Sequence, residues 1–344
     1  MPAEINAKQI KKTAKAPLGT KIKEDLGMNE AKRQEYLKKY ARTGDVTIIP
    51  KEKNPYPQMK YESFFMDVAP DFGGFGGSVL WSYVYEPVNM QPVPVKSEQS
   101  RYITVFGGDA VDYSKFSGEA EVTLGKSPDD LRVFKLSEAF SVYIEKNMFY
   151  AINITKINDP QVPMHYNELI VGENAPPEEN PAADDGAGLE KYIKSGAVLN
   201  VNYPDKENIG QVMASTHHMF GGKERIRRTW MPVIKSHIMA KYSHTHSFSE
   251  YLIVLGSDPK NISDLGGVVE FTIGENEDEL ETFRVEKATQ FYLKKGVWHS
   301  PLVFKEVRDP KKPIILCEVS YAAELVHDKE LANSIEENDW RELP

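Results

Sequence analysis

Residues 242–256 read YSHTHSFSEYLIVLG, a stretch that joins two unlike features. Its first half contains two histidines one residue apart, His244 and His246, followed by the carboxylate of Glu250. Its second half is a short apolar run that ends at Gly256, a pattern typical of a buried strand. The stretch therefore predicts a β-strand that begins beside a group of chemically active side chains.

Short apolar runs of this kind recur through most of the chain. They are separated by Gly, Pro, Asp and Asn, and examples are YITVFG, AEVTLG, SVYIEK, EYLIVLG, VVEFTIG and FYLKK. Such spacing predicts an all-β fold of many short antiparallel strands, arranged as a sandwich or small barrels. Residues 28–42 differ, because they are rich in helix formers and contain no Gly or Pro, and they predict a helix.

The strand-like region contains an internal repeat. A shift of 149 positions lays residues 81–153 on residues 230–302 without a gap, and Gly107 then falls on Gly256 (256 − 107 = 149). The comparison gives 19 identical pairs in 73 positions, where ordinary residue frequencies would give about 4. The repeat predicts two copies of one β-domain, each large enough to close its own core.

Composition argues against several kinds of partner and several kinds of structural site. The chain has 42 Lys and Arg against 51 Asp and Glu, a net charge of −9, which argues against a nucleic-acid surface. No apolar run approaches the roughly 20 residues of a membrane helix. The polar N-terminus lacks an apolar signal core, and the single cysteine, Cys317, excludes a disulfide framework and a cysteine-based zinc site. We expect a cytoplasmic protein whose partner is a small molecule.

The histidine pair predicts a metal site if the segment is a strand. Residues two apart in a strand share a face, so His244 and His246 would project side by side. Glu250 is an even number of positions further and would share that face, while His299 in a later segment is the best fourth candidate. Two or three imidazoles with a carboxylate form a ligand set for a divalent metal ion.

The repeat strengthens that prediction. A His-x-His pair alone is more often a surface or core pair than a metal site. At the four positions matched to the candidate ligands, however, the first copy carries only non-ligands, which are Val95, Ser97, Arg101 and Tyr150. Such a concerted difference favours a metal in the second copy. In the first copy Arg101 and Tyr150 would fill the corresponding space or hold an anion there, and filling is the more usual role.

These residues resemble the motifs of the cupin superfamily. The spacing from His244 through His246 and Glu250 to Gly256 looks like the first cupin motif, and GVWH at 296–299 looks like the second. Two such domains in one chain imply a bicupin, with a double-stranded β-helix, or jelly-roll, barrel in each half. The resemblance further implies one divalent ion in the second barrel, held by three histidines and a glutamate. Iron or manganese is favoured, with zinc or nickel possible, and family analogy implies a homodimer.

The pattern divides the chain into five parts. They are a helical or extended arm at 1–60, a first barrel without metal ligands at 61–172, an acidic Pro-rich linker at 173–205, a second barrel with the metal site at 206–321 and a charged tail at 322–344.

Five further residues are candidates for function. Tyr242 would share the ligand face and donate a hydrogen bond to a bound oxygen, although a core role fits equally. Arg225 and Arg227 would bind a substrate carboxylate or phosphate, although a solvated charged edge is the more usual role of such residues. His217 and His218 would line the barrel mouth or act as loop residues.

The site predicts an enzyme that acts on a small polar metabolite chelated to the metal. A carboxylate, hydroxy acid or sugar derivative would suit such a site, and dioxygenase, decarboxylase, isomerase and lyase chemistry all fit. The alternatives are a non-catalytic module that binds or senses a small ligand, and a structural or storage bicupin.

Overall fold

Strands and short 3-10 turns make up nearly all the regular structure in the described part of this protein. Its computed structural model describes residues 38–54, 56, 59, 63–67, 77–178 and 188–321. From Tyr40 onwards the described residues belong to one compact unit. In these ranges, no helix has both the length and the apolar character needed to cross a bilayer.

Twenty-three strands lie in the described ranges. The first twelve are β1 (Ala41–Thr43), β2 (Ile48–Ile49), β3 (Ser63–Asp67), β4 (Gly77–Val84), β5 (Val88–Asn89), β6 (Val95–Lys96), β7 (Arg101–Phe106), β8 (Gly118–Gly125), β9 (Arg132–Leu136), β10 (Phe140–Ile144), β11 (Phe149–Ile157) and β12 (Met164–Val171). The remaining eleven are β13 (Ile193–Ser195), β14 (Asn200–Val201), β15 (Val212–Thr216), β16 (Arg227–Val233), β17 (His237–Ala240), β18 (Glu250–Gly256), β19 (Asp264–Gly274), β20 (Glu281–Lys287), β21 (Thr289–Leu293), β22 (Trp298–Val307) and β23 (Ile314–Ser320). Short 3-10 helices cover Gly44–Thr47, Lys51–Lys53, Leu189–Tyr192, Gly196–Leu199 and His217–Phe220.

The strands form two barrels of the same topology. In the first barrel one sheet has the order β13-β10-β7-β12-β4-β3-β2, and the other has β5-β11-β8-β9, with β6 also paired to β11. In the second barrel the orders are β1-β21-β18-β23-β16-β15-β14 and β17-β22-β19-β20. In each barrel, eight of these strands, four from each of the two sheets, form the interleaved sheets of a jelly roll. The predicted fold class, all-β with two tandem double-stranded β-helix barrels, is confirmed.

The offset of 149 residues relates the two barrels strand by strand. Strand β10 begins at Phe140 and its counterpart β21 at Thr289, so that 289 − 140 = 149. In the last strand the offset grows to 150, because Asn167 opposes Trp81 whereas Cys317 opposes Trp230 (317 − 167 = 150). One extra residue in the second barrel therefore makes Glu168 and Glu318 structural equivalents, which the ungapped sequence comparison did not reach.

A glycine is required at the same corner of both barrels. A Cβ on Gly107 would lie 2.2 Å from the Lys115 carbonyl oxygen, and one on Gly256 would lie 1.9 Å from that of Asp264. Those two oxygens are themselves related by the repeat, since 264 − 115 = 149. The backbone of the following loop approaches too closely for any side chain, which explains why both copies carry glycine there.

The predicted helix over 28–42 is wrong at its C-terminal end. Residues 38–40 are helical, but Ala41 and Arg42 lie in β1, where Ala41 opposes Phe291 of β21. Pairing with a sheet edge overrides the helix preference of these residues. Residues 28–37 of that helix, residues 179–187 of the linker and the tail 322–344 lie outside the described residues.

The C-terminal part of the predicted linker, residues 188–205, contributes a strand to each barrel. Strand β13 pairs with β10 of the first barrel, and β14 pairs with β15 of the second. The chain therefore extends one sheet of each barrel as it passes from the first to the second.

A buried arginine joins the two barrels. Arg228 of β16 is 1% exposed and donates hydrogen bonds to the hydroxyls of Thr104 (2.9 Å) and Ser141 (3.1 Å) of the first barrel and Ser215 (3.0 Å) of the second. No carboxylate of the described residues pairs with it. Burial lowers the pKa of Arg228 to about 10, so the guanidinium remains charged at neutral pH. Hydroxyl dipoles from both barrels take the place of a counter-ion.

We predict that Gly256→Ala destabilises the protein far more than Gly296→Ala. The first change drives a Cβ against backbone and should cost about 3 kcal/mol or more. The second adds a Cβ with nothing within 4 Å at a φ of +82°, and should cost about 1 kcal/mol through the left-handed backbone alone. Urea unfolding midpoints of the two variants measure the difference. Equal midpoints would contradict the close approach.

Candidate metal centre

The histidine pair lies in a loop between the two sheets of the second barrel. Strand β17 ends at Ala240, and Glu250 is the first residue of β18, so the segment 241–249 passes from the four-stranded sheet to the seven-stranded one. The expectation of one unbroken strand from His244 to Glu250 is therefore wrong. A chain that changes sheets has to leave both hydrogen-bond ladders, and the alternation of side chains does not extend across it.

Backbone hydrogen bonds nevertheless hold this loop against β22. The amide of His244 donates to the carbonyl of His299, and the amide of His299 donates back to His244, each at 3.0 Å. The amide of Gly296 also donates to the carbonyl of His246 at 3.0 Å. These bonds bring side chains together that are separated by more than fifty positions in the chain.

All four predicted ligands converge. One ligand atom from each of His244, His246 and His299 lies within 4.8 Å of the others. The two Nε2 atoms of His244 and His246 are 3.1 Å apart. The Glu250 carboxylate oxygens lie 3.6 Å from His246 Nδ1 and 3.6 Å from His299 Nε2. Glu250 and His299 are 4% and 3% exposed, so the group reaches into the barrel.

Two carbonyl groups set the protonation of the imidazoles. His244 Nδ1 is 3.0 Å from the Tyr242 carbonyl oxygen, and His299 Nδ1 is 3.0 Å from that of Val297. A carbonyl only accepts, so both Nδ1 atoms carry hydrogen and both Nε2 atoms present lone pairs. Hydrogen bonds of this kind orient metal-binding histidines in proteins generally. His246 is oriented differently, by stacking on Phe248 with ring centroids 4.5 Å apart.

Burial sets the charge of the group. It lowers the pKa of His299 to about 3, with the neighbouring imidazoles of His244 and His246 acting in the same direction. Burial also raises the pKa of Glu250 well above its usual value, and the negative charge of Glu318 adds to that effect. His299 is therefore neutral, as a ligand must be, and a cation would compensate the charge of Glu250.

Arg227 lies beside this group of side chains. Ser320 of β23 lies between the two residues in the sheet, because it pairs with Arg227 of β16 on one side and with Glu250 of β18 on the other. The guanidinium Nη1 of Arg227 is 3.6 Å from Glu318 Oε1, and the Ser320 hydroxyl also donates to that carboxylate. The residue is 9% exposed, so Arg227 is an interior charge of the second barrel and not part of a solvated edge.

Arg225 takes a different place. Its Nε lies 3.8 Å from Glu178 Oε2, and that same oxygen is 2.6 Å from His217 Nε2. Glu178, His217 and His218 form the second group in the described chain whose ligand atoms come close together. Sequence reasoning missed this cluster, because Glu178 lies in the Pro-rich interval and shares no motif with THHMFGG. The guanidinium of Arg225 opposes cation binding there.

Tyr242 contributes through its backbone. Its carbonyl orients His244, while its side chain is 50% exposed and lies near Lys241 Nζ, 5.8 Å from the ring centroid. A hydrogen bond from its hydroxyl to a bound ligand stays a prediction.

The first barrel carries an ion pair at the matched positions. Arg101, the counterpart of Glu250, places Nη1 2.6 Å from Glu168 Oε1, and its Nε donates to the Ser97 hydroxyl at 2.9 Å. In the described part of this barrel, no three His, Cys, Asp or Glu side chains come close enough to share a cation.

Comparison with known proteins finds structural likeness only. No family of known proteins matches this sequence, and no curated protein does. Among solved structures, the chain is similar to Bacillus subtilis oxalate decarboxylase, studied for its Mn(II) centres, with 12% identity and a TM-score of 0.45 over 81% of this chain and 80% of that one. It is also similar to Lactobacillus farciminis oxalate decarboxylase in a formate complex, with 11% identity and a TM-score of 0.43 over 79% of this chain and 85% of that one. The strand order and the repeat, and not these likenesses, establish the architecture.

We predict that His246→Ala abolishes metal binding while His218→Ala leaves it intact. His246 belongs to the group around Glu250, whereas exposed His218 belongs to the cluster around Glu178. The measurement is metal per chain by mass spectrometry after anaerobic loading with Mn(II) or Fe(II) and dialysis. The wild type and His218→Ala should hold one ion. The assignment would fail if His246→Ala kept a full ion or if His218→Ala lost it.

Proposed function

We propose that the second barrel binds one divalent metal ion through His244, His246, Glu250 and His299. The observation that carries this is the convergence of three imidazoles and a carboxylate, with two Nε2 lone pairs fixed by carbonyl groups. Mixed nitrogen and oxygen ligands suit Fe(II) and Mn(II) best, and Zn(II) or Ni(II) less well. A bound ion would supply Lewis acidity or redox chemistry to a small ligand in the barrel.

The protein on this proposal is a metal-dependent enzyme that acts on a small polar metabolite. Carboxylates, hydroxy acids and sugar derivatives are the substrate class, and decarboxylation, dioxygenation, isomerisation and elimination are the reactions such a site serves. Support comes from the charge next to the ligands, since an interior arginine is suited to hold a carboxylate.

Arg227 is the residue that would orient the substrate. Its contact with Glu318 is a single long one of 3.6 Å, which leaves guanidinium hydrogens for a second carboxylate. Glu318 and the Ser320 hydroxyl hold the arginine on the side of the barrel where Glu250 lies. A carboxylate bound there would present its adjoining carbon atoms to the metal position, and the barrel walls would exclude bulk water from them.

We predict that a metabolite of this class binds in the second barrel only when that barrel holds its metal. A panel of small carboxylates, hydroxy acids and sugar acids is screened by thermal shift with and without metal, and each metal-dependent hit is followed by oxygen uptake, carbon dioxide release and product analysis. A metal-dependent hit should disappear in His246→Ala. In Arg227→Gln it should weaken by about tenfold to a hundredfold, as the loss of a charged hydrogen bond implies, while metal content is unchanged.

Three outcomes would overturn the proposal. One is a metal-loaded protein that neither binds nor converts any member of the panel. Another is binding without turnover, which would make the second barrel a sensing module. The third is turnover that persists in His246→Ala, which would place the chemistry elsewhere.

A further inference from the structure

The first barrel contains a cavity where the second has its candidate metal centre. The cavity has a volume of about 300 Å³, and its lining includes Arg101 and Tyr150. These two residues occupy the positions of Glu250 and His299 in the repeat. The sequence left two roles open for them, to fill the space or to hold an anion, and the cavity beside them shows that the described residues do not fill it. Its volume is at the small end of the range for ligand pockets, so an occupant would be a small molecule.

One charged side chain that lines this cavity, Arg101, has hydrogen-bond donors left over from its contacts with the protein. Arg101 uses Nη1 on Glu168 at 2.6 Å and Nε on Ser97 at 2.9 Å. These two contacts use two of the five N–H groups of the guanidinium, so hydrogens remain for a ligand. The ring of Tyr150 lies under the guanidinium, 5.0 Å from Cζ to the ring centroid, and holds it in place.

A second spare donor comes from a buried amide. Gln91 is 7% exposed and lines the cavity. Its Oε1 accepts a hydrogen bond of 2.9 Å from the Ile152 amide, which fixes the orientation of the side chain. The NH₂ group has no hydrogen-bond partner among the described residues. The NH₂ group is therefore available to donate to a molecule in the cavity.

The one carboxylate among the described residues that line the cavity is already hydrogen-bonded. Glu168 Oε1 accepts from Arg101, and Oε2 accepts from the hydroxyls of Tyr56 at 2.7 Å and Tyr166 at 3.3 Å. The other acceptors of the lining include the neutral hydroxyls of Ser78 and Tyr150, so an amine would meet no unpaired anion there. A carboxylate needs only donors, and it matches an arginine and an amide well.

We propose that the first barrel binds a small monocarboxylate with a short apolar chain. The carboxylate accepts hydrogen bonds from Arg101 Nη2 and the Gln91 NH₂ group. The chain lies against the apolar lining formed by Leu80, Met90 and Ile170. This site is separate from the metal centre and needs no metal.

The test uses hexanoate with metal-free His246→Ala protein, so that the second barrel does not contribute. Isothermal titration should show one hexanoate per chain, with the same affinity in the metal-free wild type. Hexanamide has the same shape without the charge and should bind at least tenfold more weakly. Equal binding of hexanamide, or no binding of hexanoate, would overturn the proposal.

Gln91→Glu is the decisive variant because it preserves the fold around it. The new side chain still accepts from the Ile152 amide but replaces the NH₂ donor with a negative oxygen, so hexanoate affinity should fall at least tenfold. Gln161→Glu adds the same charge at an exposed position of the same barrel and should bind hexanoate like its parent. Unchanged affinity in Gln91→Glu, or an equal fall in Gln161→Glu, would contradict the site. Because neither variant touches the metal group, the result is independent of the proposed enzymatic activity.

Discussion

Each barrel contains a glutamate whose negative charge has to be neutralised by an arginine side chain. The strand that carries this arginine decides which kind of ligand the barrel can bind. Glu168 and Glu318 are equivalent residues of β12 and β23. In the first barrel the cation is Arg101 of β7, and in the second it is Arg227 of β16. Arg101 stands where the second barrel has Glu250. The first barrel therefore places a positive charge at the position where the second has the carboxylate of a candidate metal ligand.

The same topology thus supports two opposite electrostatic environments in one chain. The second barrel gathers three imidazoles, of which burial keeps His299 neutral, and a carboxylate whose charge burial disfavours, so a divalent cation would stabilise the group. The first barrel has spare donors around a cavity whose one carboxylate among the described residues is already hydrogen-bonded, so an anion would suit it. Arg228 joins the two barrels through hydroxyl groups of both, so the sheets that carry these sites pack directly on each other.

Much of the fold could be predicted from the repeat, because turn glycines and apolar runs recur at one offset. The convergence of the four candidate ligands was also predicted, but the reason given was wrong. The prediction assumed one strand, whereas His244 and His246 lie in a loop held by backbone hydrogen bonds to β22. Long-range pairing of that kind leaves no local signal. The same holds for the hydrogen bond between Glu178 and His217 and for the cavity, which depend on how distant segments pack. Dimerisation, cytoplasmic location and the domain boundaries stay predictions.

The most direct measurement is an anomalous difference map from crystals loaded with Mn(II), with data collected on both sides of the manganese absorption edge. The account predicts one strong peak per chain, within bonding distance of His244, His246, Glu250 and His299, and none in the first barrel. A peak beside Glu178, a peak next to Arg101, or four side chains that surround only solvent in the loaded crystal would contradict it.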